Sequence, residues 1–296
     1  MGILLAILVS FLHTGQNTTI KRAAITSQDS LVVTWVLSAV SSIVLLPIFL
    51  VLNFFYGTVQ IDQNFWIALG VKLPFMIVAL LCYVLAHKYG DMSLISPLLS
   101  LTPAVVLVLA PFIVNQQASI GGIVGVILIV VGAYFLNFGS RKTSYLEPFK
   151  MLFKDKGARY MMLTAIIWGI LTVIDAIGVQ NAGQNKLQAG IAWAFCTYLA
   201  MAVVLAPFVA KKAVMAIKSS DRGKLFLAGL FSGVMEGCQM IAMTMLLAAY
   251  VNAIKRFSMV LSVIVGAVFF KEKGIEERLT GSLIMLAGVV MIVLLR

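Results

Sequence analysis

The chain has 296 residues, of which 61% are hydrophobic and only 11% are charged. Soluble domains have about 25% charged residues, and no soluble fold of this length could bury so much apolar surface, so we expect lipid to be the solvent for most of the chain. The formal net charge is +11. Most of the basic residues lie in short breaks between apolar segments and form no stripe interleaved with aromatic side chains, which argues against nucleic-acid binding.

Ten apolar segments follow one another along the chain, and each is close to the ~20 residues that an α-helix needs to cross a bilayer. Proline, glycine, asparagine and charged residues mark the breaks between them. The sequence therefore predicts an all-α integral membrane protein with ten transmembrane helices. The predicted spans are residues 2–24, 31–53, 64–87, 92–114, 119–139, 158–178, 187–209, 224–247, 249–270 and 277–295.

Residues 102–132 and 258–288 repeat one another at a separation of 156 residues (258 − 102). Gln116 and Glu272 occupy the polar break in the two copies, and the glycines recur at the same register. A repeated unit of membrane helices is typical of secondary transporters, in which two related units enclose one binding site and move around it. The matched glycines are Gly125 with Gly281 and Gly132 with Gly288.

The longest break is basic and separates two groups of five predicted helices. We therefore predict a first repeat over residues 1–139, a linker over 140–157 and a second repeat over 158–296. Because five is an odd number, the second repeat should cross the membrane in the opposite orientation, so the repeat is inverted. The breaks after odd-numbered helices are basic, and the positive-inside rule places them and the linker in the cytoplasm, with both termini outside.

Glu236 lies near the middle of the eighth predicted helix, far from either end. A charge at this depth costs ~2.5–3.5 kcal/mol on insertion scales, so the side chain should face a cavity or a charged partner. Gly233, Gln239 and Met243 share its face at helical spacing. We assign Glu236 to proton coupling and Gln239 to substrate binding, while a structural ion pair remains the alternative for Glu236.

The ninth predicted helix carries an unusual polar stripe. Asn252, Lys255, Ser258 and Ser262 share one face, and Arg256 follows Lys255 directly. Half-buried cations suit a carboxylate or a phosphate, so we assign Asn252, Lys255 and Arg256 to substrate binding. The alternative is that whichever cation faces lipid extends to the membrane interface.

Two polar positions stand on other predicted helices. Lys72 lies inside the third helix, the repeat mate of the eighth, where it could bind substrate, pair with Glu236 or extend to the interface. Asp175 shares a face of the sixth helix with Trp168 and Thr172. We assign Asp175 to coupling and Trp168 to substrate binding.

The first predicted helix, the repeat mate of the sixth, presents an equivalent polar stripe in which we assign Asn17 to substrate binding. His13 on this helix could titrate near neutral pH, although a lone membrane histidine is more often a hydrogen-bonded packing residue. The histidines and cysteines have no spacing typical of a metal site or a disulfide framework, so we expect neither a metal nor a cofactor. They are His13, His87, Cys82, Cys196 and Cys238.

Four short stretches carry a family resemblance that extends over essentially the whole chain: Ser96 to Pro103, Asn252 to Phe257, Phe269 to Lys273, and Trp168 with Gly169. In their order and spacing they resemble the EamA-type ten-helix members of the drug/metabolite transporter superfamily. The resemblance implies two five-helix repeats, metabolite export and a bacterial inner-membrane location.

The chain departs from that family at two points. Gln116 stands where the family has an acidic residue after the fourth helix, and many members have cytoplasmic termini, opposite to the orientation that the charges predict here. Within the superfamily, the Asn-x-x-Lys-Arg pattern of Asn252, Lys255 and Arg256 is similar to the plastid sugar-phosphate branch, where the resemblance implies that the basic pair holds phosphate.

The function predicted from these features is alternating-access transport, in the export direction, of a small polar metabolite with an anionic group, coupled to protons. Its partners would be that small molecule and the lipid bilayer. One alternative is a sugar-phosphate or nucleotide-sugar exchanger of the same superfamily. The other is a membrane-embedded lipid-modifying enzyme, which would need clustered acidic, histidine or metal-binding residues that the sequence does not display. A central cavity is expected between helices one, three, four, six, eight and nine.

Overall fold

The computed structural model describes residues 1–24, 30–89, 96–138, 155–218, 222–261 and 275–295. Within these ranges the chain forms helices and no strand, which confirms the all-α prediction. Most of the predicted linker, residues 140–154, lies outside the described residues, as do Ser262 and Glu272.

Ten α-helices, labelled α1 to α10 in chain order, and one 3₁₀ helix account for nearly all of the described chain. The 3₁₀ helix covers Ser96–Leu101 and leads directly into α4. The α-helices are α1 Gly2–Ala24, α2 Ser30–Tyr56, α3 Gln63–Tyr89, α4 Thr102–Val114, α5 Ile120–Phe138, α6 Lys156–Gln180, α7 Lys186–Lys218, α8 Arg222–Met243, α9 Ala248–Lys255 and α10 Ile275–Leu295.

Five of these helices, among the residues described, are long and apolar enough to cross a membrane on their own. The protein is therefore a multi-pass integral membrane protein. Apolar stretches in α1, α4, α5 and α10 are shorter in the described part, so the count of ten transmembrane helices stays a prediction. The five long segments are Leu31–Tyr56, Gln63–Tyr83, Lys156–Gln180, Lys186–Val209 and Gly223–Met243.

The chain divides into two compact units that do not follow the two sequence halves. The first unit contains residues 1–77 and 174–246, and the second contains 78–173 and 247–296. Each unit therefore draws helices from both halves, and α3 and α6 contribute residues to both units. The division into repeats at 1–139 and 158–296 describes the sequence and stays a prediction.

In the first unit, α1 packs along α8 and the two helices run antiparallel. The start of α1 meets the chain just after α8, since a Cβ on Gly2 would lie 3.0 Å from Cγ of Leu246. The middle of α1 meets the middle of α8, since a Cβ on Gly15 would lie 3.0 Å from the Phe231 ring. Small residues on α1 thus allow close helix packing.

Helices α2 and α7, which are the second helices of their respective halves, also pack antiparallel in the first unit. Trp35 Nε1 near the start of α2 donates to the carbonyl oxygen of Ala202 at 2.9 Å. Near the other end, Gln188 Nε2 donates to Oδ1 of Asn53 at 2.9 Å. Buried valines of α2 join a residue of each of α7 and α8 in one apolar cluster: Val32, Val33, Val36, Val40, Val209 and Leu225.

In the second unit, α5 and α10 pack through the glycines that the repeat analysis matched. A Cβ on Gly125 would lie 2.8 Å from the carbonyl oxygen of Gly288, and a Cβ on Gly132 would lie 2.8 Å from that of Gly281. The repeat maps Gly125 onto Gly281 and Gly132 onto Gly288, so exchanging the two halves turns one contact into the other. The helices are thus antiparallel repeat mates around a local two-fold axis, the relationship that an inverted repeat requires.

Candidate functional site

Arg256 lies where the ninth helix departs from α-helical geometry. Helix α9 ends at Lys255, and the next hydrogen bonds run from residue i+3 to i: the Arg256 amide donates to Ala253 at 3.0 Å and the Phe257 amide donates to Ile254 at 2.9 Å. The repeat places residues 252–257 on the 3₁₀ helix of residues 96–101 (both offsets are 156). Residues 256 and 257 therefore share i+3 to i hydrogen bonding with the equivalent residues 100 and 101, and a 3₁₀ stretch within a helix often marks a functional hinge.

Asn252 fixes the guanidinium of Arg256 from one turn earlier in the chain. Arg256 Nη2 donates to Oδ1 of Asn252 at 3.4 Å, and Nδ2 of Asn252 donates to the Thr172 hydroxyl at 2.7 Å. Thr172 in turn donates to the carbonyl oxygen of Trp168 at 2.8 Å. The chain of bonds links α9 to α6, so Asn252 orients Arg256.

The guanidinium of Arg256 is buried with unused hydrogen-bonding capacity. The residue is 3% exposed, and its Nε has no hydrogen-bond partner among the described residues. No carboxylate pairs with it in the same part of the chain. A buried cation without a counter-charge is costly, so Arg256 is an unusual feature of the described residues.

Aromatic side chains stand beside this cation in the second unit. The rings of Tyr83 and Trp168 lie 5.0 Å apart between centroids at an interplanar angle of 35°. Trp168 is connected to Arg256 by the hydrogen bonds that run through Thr172 and Asn252.

The two neighbouring cations of α9 differ in depth. Lys255 is half-buried, whereas Arg256 is buried. Ser258 is also buried, as the polar stripe predicted. Because Arg256 is only 3% exposed, its side chain does not extend to the membrane interface.

In the first unit, Lys72 and Asp175 form a buried ion pair between α3 and α6. Lys72 is 1% exposed and Asp175 is 5% exposed. The prediction that Lys72 extends to the interface is wrong, because its ammonium group is enclosed by protein. The carboxylate that it contacts in the structure is Asp175, where the sequence suggested Glu236.

Two residues of α7 complete the surroundings of this ion pair. Trp193 Nε1 donates to Oδ1 of Asp175 at 2.7 Å, and Lys72 Nζ lies 5.2 Å from the centroid of the Trp193 ring. Lys72 also donates to the Thr197 hydroxyl at 3.4 Å. Phe65 packs edge-on against Trp193 with centroids 4.9 Å apart. The pair is neutral and well partnered, so it connects α3, α6 and α7.

Glu236 and Gln239 are buried on α8, at 7% and 5% exposure. The side chain of Tyr198 on α7 is also buried.

The remaining predicted positions stand apart from these clusters. Asn17 lies in α1, and its side chain is outside what the structure describes. Gln116 has a structural role, since its Oε1 accepts a hydrogen bond of 2.9 Å from the amide of Ala248 at the start of α9. The three cysteines are free, and within the described residues no group of histidine, cysteine and acidic side chains could hold a metal.

Sequence reasoning assigned Trp168 but missed Tyr83 in the second unit and Trp193 and Thr197 beside the ion pair. Tyr83 follows Lys72 by 11 residues, which is three helical turns, and so shares its side of α3. Trp193 and Thr197 are four residues apart on one side of α7. The sequence contained a signal for these residues, namely the helical spacing of Tyr83 to Lys72 and of Trp193 to Thr197. Aromatic residues are common in membrane helices, so this spacing did not distinguish them.

Comparison with known proteins gives the family. One crystal structure of a protein superposes on 100% of this chain and 99% of its own, with a TM-score of 0.73 and 12% sequence identity, a likeness that shows the fold alone. No curated protein matches the sequence. The family model of the EamA-like transporter family matches residues 1–138 and again residues 155–294, which confirms the resemblance. The chain belongs to the EamA-like transporter family.

Proposed function

We propose that this protein is a secondary carrier that exports a small polar metabolite with an anionic group. The observation that carries the proposal is Arg256, a buried guanidinium whose Nε is unpartnered among the described residues. Membership of a transporter family supports transport and weighs against the lipid-modifying enzyme.

The chemistry of Arg256 indicates what it would bind. A guanidinium is planar and permanently charged, and it offers donors that match a carboxylate or phosphate in a fork. Asn252 occupies one donor at 3.4 Å, which leaves Nε free for the ligand. Since the site is buried, a charge-assisted bond there is worth more than one in water.

A phosphorylated substrate, as in the sugar-phosphate branch, is the second candidate. The half-buried Lys255 next to Arg256 favours it, because a phosphate monoester carries up to two negative charges that two cations would balance. A carboxylate needs Arg256 alone. The effect of neutralising Lys255 therefore separates the two substrate classes.

Coupling to protons is assigned to Glu236. Its carboxylate is buried in α8 at 7% exposure, and a buried carboxylate can exchange protons in competition with another charge. We place the protein in a bacterial inner membrane with residues 140–157 in the cytoplasm, on the basis of the basic breaks in the sequence.

The test is solute counterflow in proteoliposomes with labelled amino acids, organic acids and sugar phosphates. We expect saturable accumulation of at least one anionic solute, and a loss of about 10- to 100-fold in R256Q, the cost of one bond to a charged group. K255Q is the matched control, with a small effect for a carboxylate and a large one for a phosphate. Wild-type accumulation of neutral or cationic solutes only, or an unaffected R256Q, would overturn the proposal.

A further inference from the structure

A histidine and a carboxylate are buried at the same level of the first unit. His13 on α1 and Glu236 on α8 are each 7% exposed. They belong to helices that pack along one another, and each has an interaction partner within the protein. Two buried titratable groups on adjoining helices are uncommon in a membrane protein, where each would be costly alone.

The register of the two helices brings these residues together. Gln16 on α1 donates to the hydroxyl of Ser232 on α8 at 2.7 Å. His13 is three residues before Gln16, and Glu236 is four residues after Ser232. Because the helices are antiparallel, the step from Gln16 to His13 and the step from Ser232 to Glu236 run in the same direction in space. Each step is about one helical turn, so both residues stay on the contact face.

The helices packed against α8 carry other titratable groups. Helix α7 contributes the buried Tyr198, and Asp175 on α6 is paired with Lys72. On α8 itself, Cys238 is near in sequence. Helix α2 contains no charged residue and packs on α8 through small and apolar groups such as Ser41 and Leu45, while its single tyrosine is exposed.

We propose that His13 and Glu236 share one proton and together form the coupling site of the carrier, an inference that rests on the proposed transport function. With the proton bound, the pair is an imidazolium beside a carboxylate and is neutral as a whole. Loss of the proton to water leaves a neutral imidazole and a net negative charge, which is costly while the pair is buried. The proton is therefore exchanged when this face is hydrated and retained when it is closed.

The first experiment observes the pair without any substrate. The chain has two histidines, His13 and His87, so histidine-labelled protein carrying H87Q gives a single imidazole signal in lipid nanodiscs. We expect that signal to titrate, and the additional change E236Q to move its midpoint by about one pH unit or more. An unchanged titration in a folded E236Q variant would overturn the pairing. The control is Q16A, which leaves both titrating groups in place.

The second experiment measures transport. Counterflow needs no net driving force, so its presence in the wild type establishes the carrier independently of coupling. We expect an imposed pH gradient to drive accumulation in the wild type and in H87Q, but not in H13Q or E236Q, both of which should retain counterflow. Gradient-driven accumulation that persists in H13Q would overturn the inference. Absence of counterflow in the wild type would instead contradict the proposed function, while the imidazole titration still decides the pairing.

Discussion

Lys72 and Asp175 lie 103 residues apart in the sequence and form a buried ion pair that Trp193 completes with a hydrogen bond of 2.7 Å. The pair joins helices from both repeats within the first unit. Because each charge neutralises the other, removing one partner costs more free energy of folding than replacing both with apolar residues. This asymmetry makes its role measurable.

Removal of one charge of the pair should strongly destabilise the protein. We expect K72M or D175L to lower the free energy of unfolding by about 3–5 kcal/mol, because each leaves the other charge buried and alone. The double change K72M/D175L should recover much of that loss. Unfolding in mixed micelles provides the measurement. A loss in the double variant equal to the sum of the two single losses would show that the two residues are not coupled.

Trp193 should contribute through its indole N–H. We expect W193F to reduce the free energy of unfolding by about 1.5–3 kcal/mol, since it removes a hydrogen bond to a charged group while keeping most of the ring. Trp66 is the matched control, because it is 55% exposed and W66F should change little. Similar losses in both variants would contradict the importance of the bond to Asp175.

A carboxylate placed beside Arg256 should compete with the substrate. In N252D the new side chain stands at the Asn252 position, whose oxygen already accepts from Arg256 at 3.4 Å. We expect anion counterflow to fall by about tenfold or more while the protein remains folded, because the guanidinium gains an internal partner. T172V is the control for the lost bond to Thr172. Undiminished counterflow in N252D would contradict the assignment of Arg256.

Gly178 is packed so closely that even the methyl group of an alanine should not fit there. A Cβ there would lie 2.3 Å from the Trp193 ring, so we expect G178A to cost about 1–3 kcal/mol of unfolding free energy through overpacking. Gly70, on α3, is the control, because nothing lies within 4 Å of its Cβ position. G70A should be neutral or slightly stabilising. Equal effects of the two variants would mean that Trp193 moves aside freely.

The sequence predicted the helices, the repeat and the polar residues of α9, because these signals are local or periodic. The glycines that the repeat matched between the two halves pack closely in α5 and α10. The partner of Lys72 could not be obtained in the same way: repeat equivalence suggested Glu236, but which carboxylate a side chain reaches depends on helix rotation, which spacing alone does not determine. The sequence likewise could not show that Arg256 is buried while the adjacent Lys255 is only half-buried.

The tightened helix at Arg256 has a counterpart in the first repeat that lacks the charge. The offset of 156 residues places Ser100, which is buried at 2% exposure, at the position equivalent to Arg256. Both halves have i+3 to i hydrogen bonding at this point, but only the second half has a cation there. If the halves exchange conformations during transport, the bound anion stays with the second half throughout. The expected stoichiometry is therefore one anion per transport cycle, and a substrate with two acidic groups would be held by one of them.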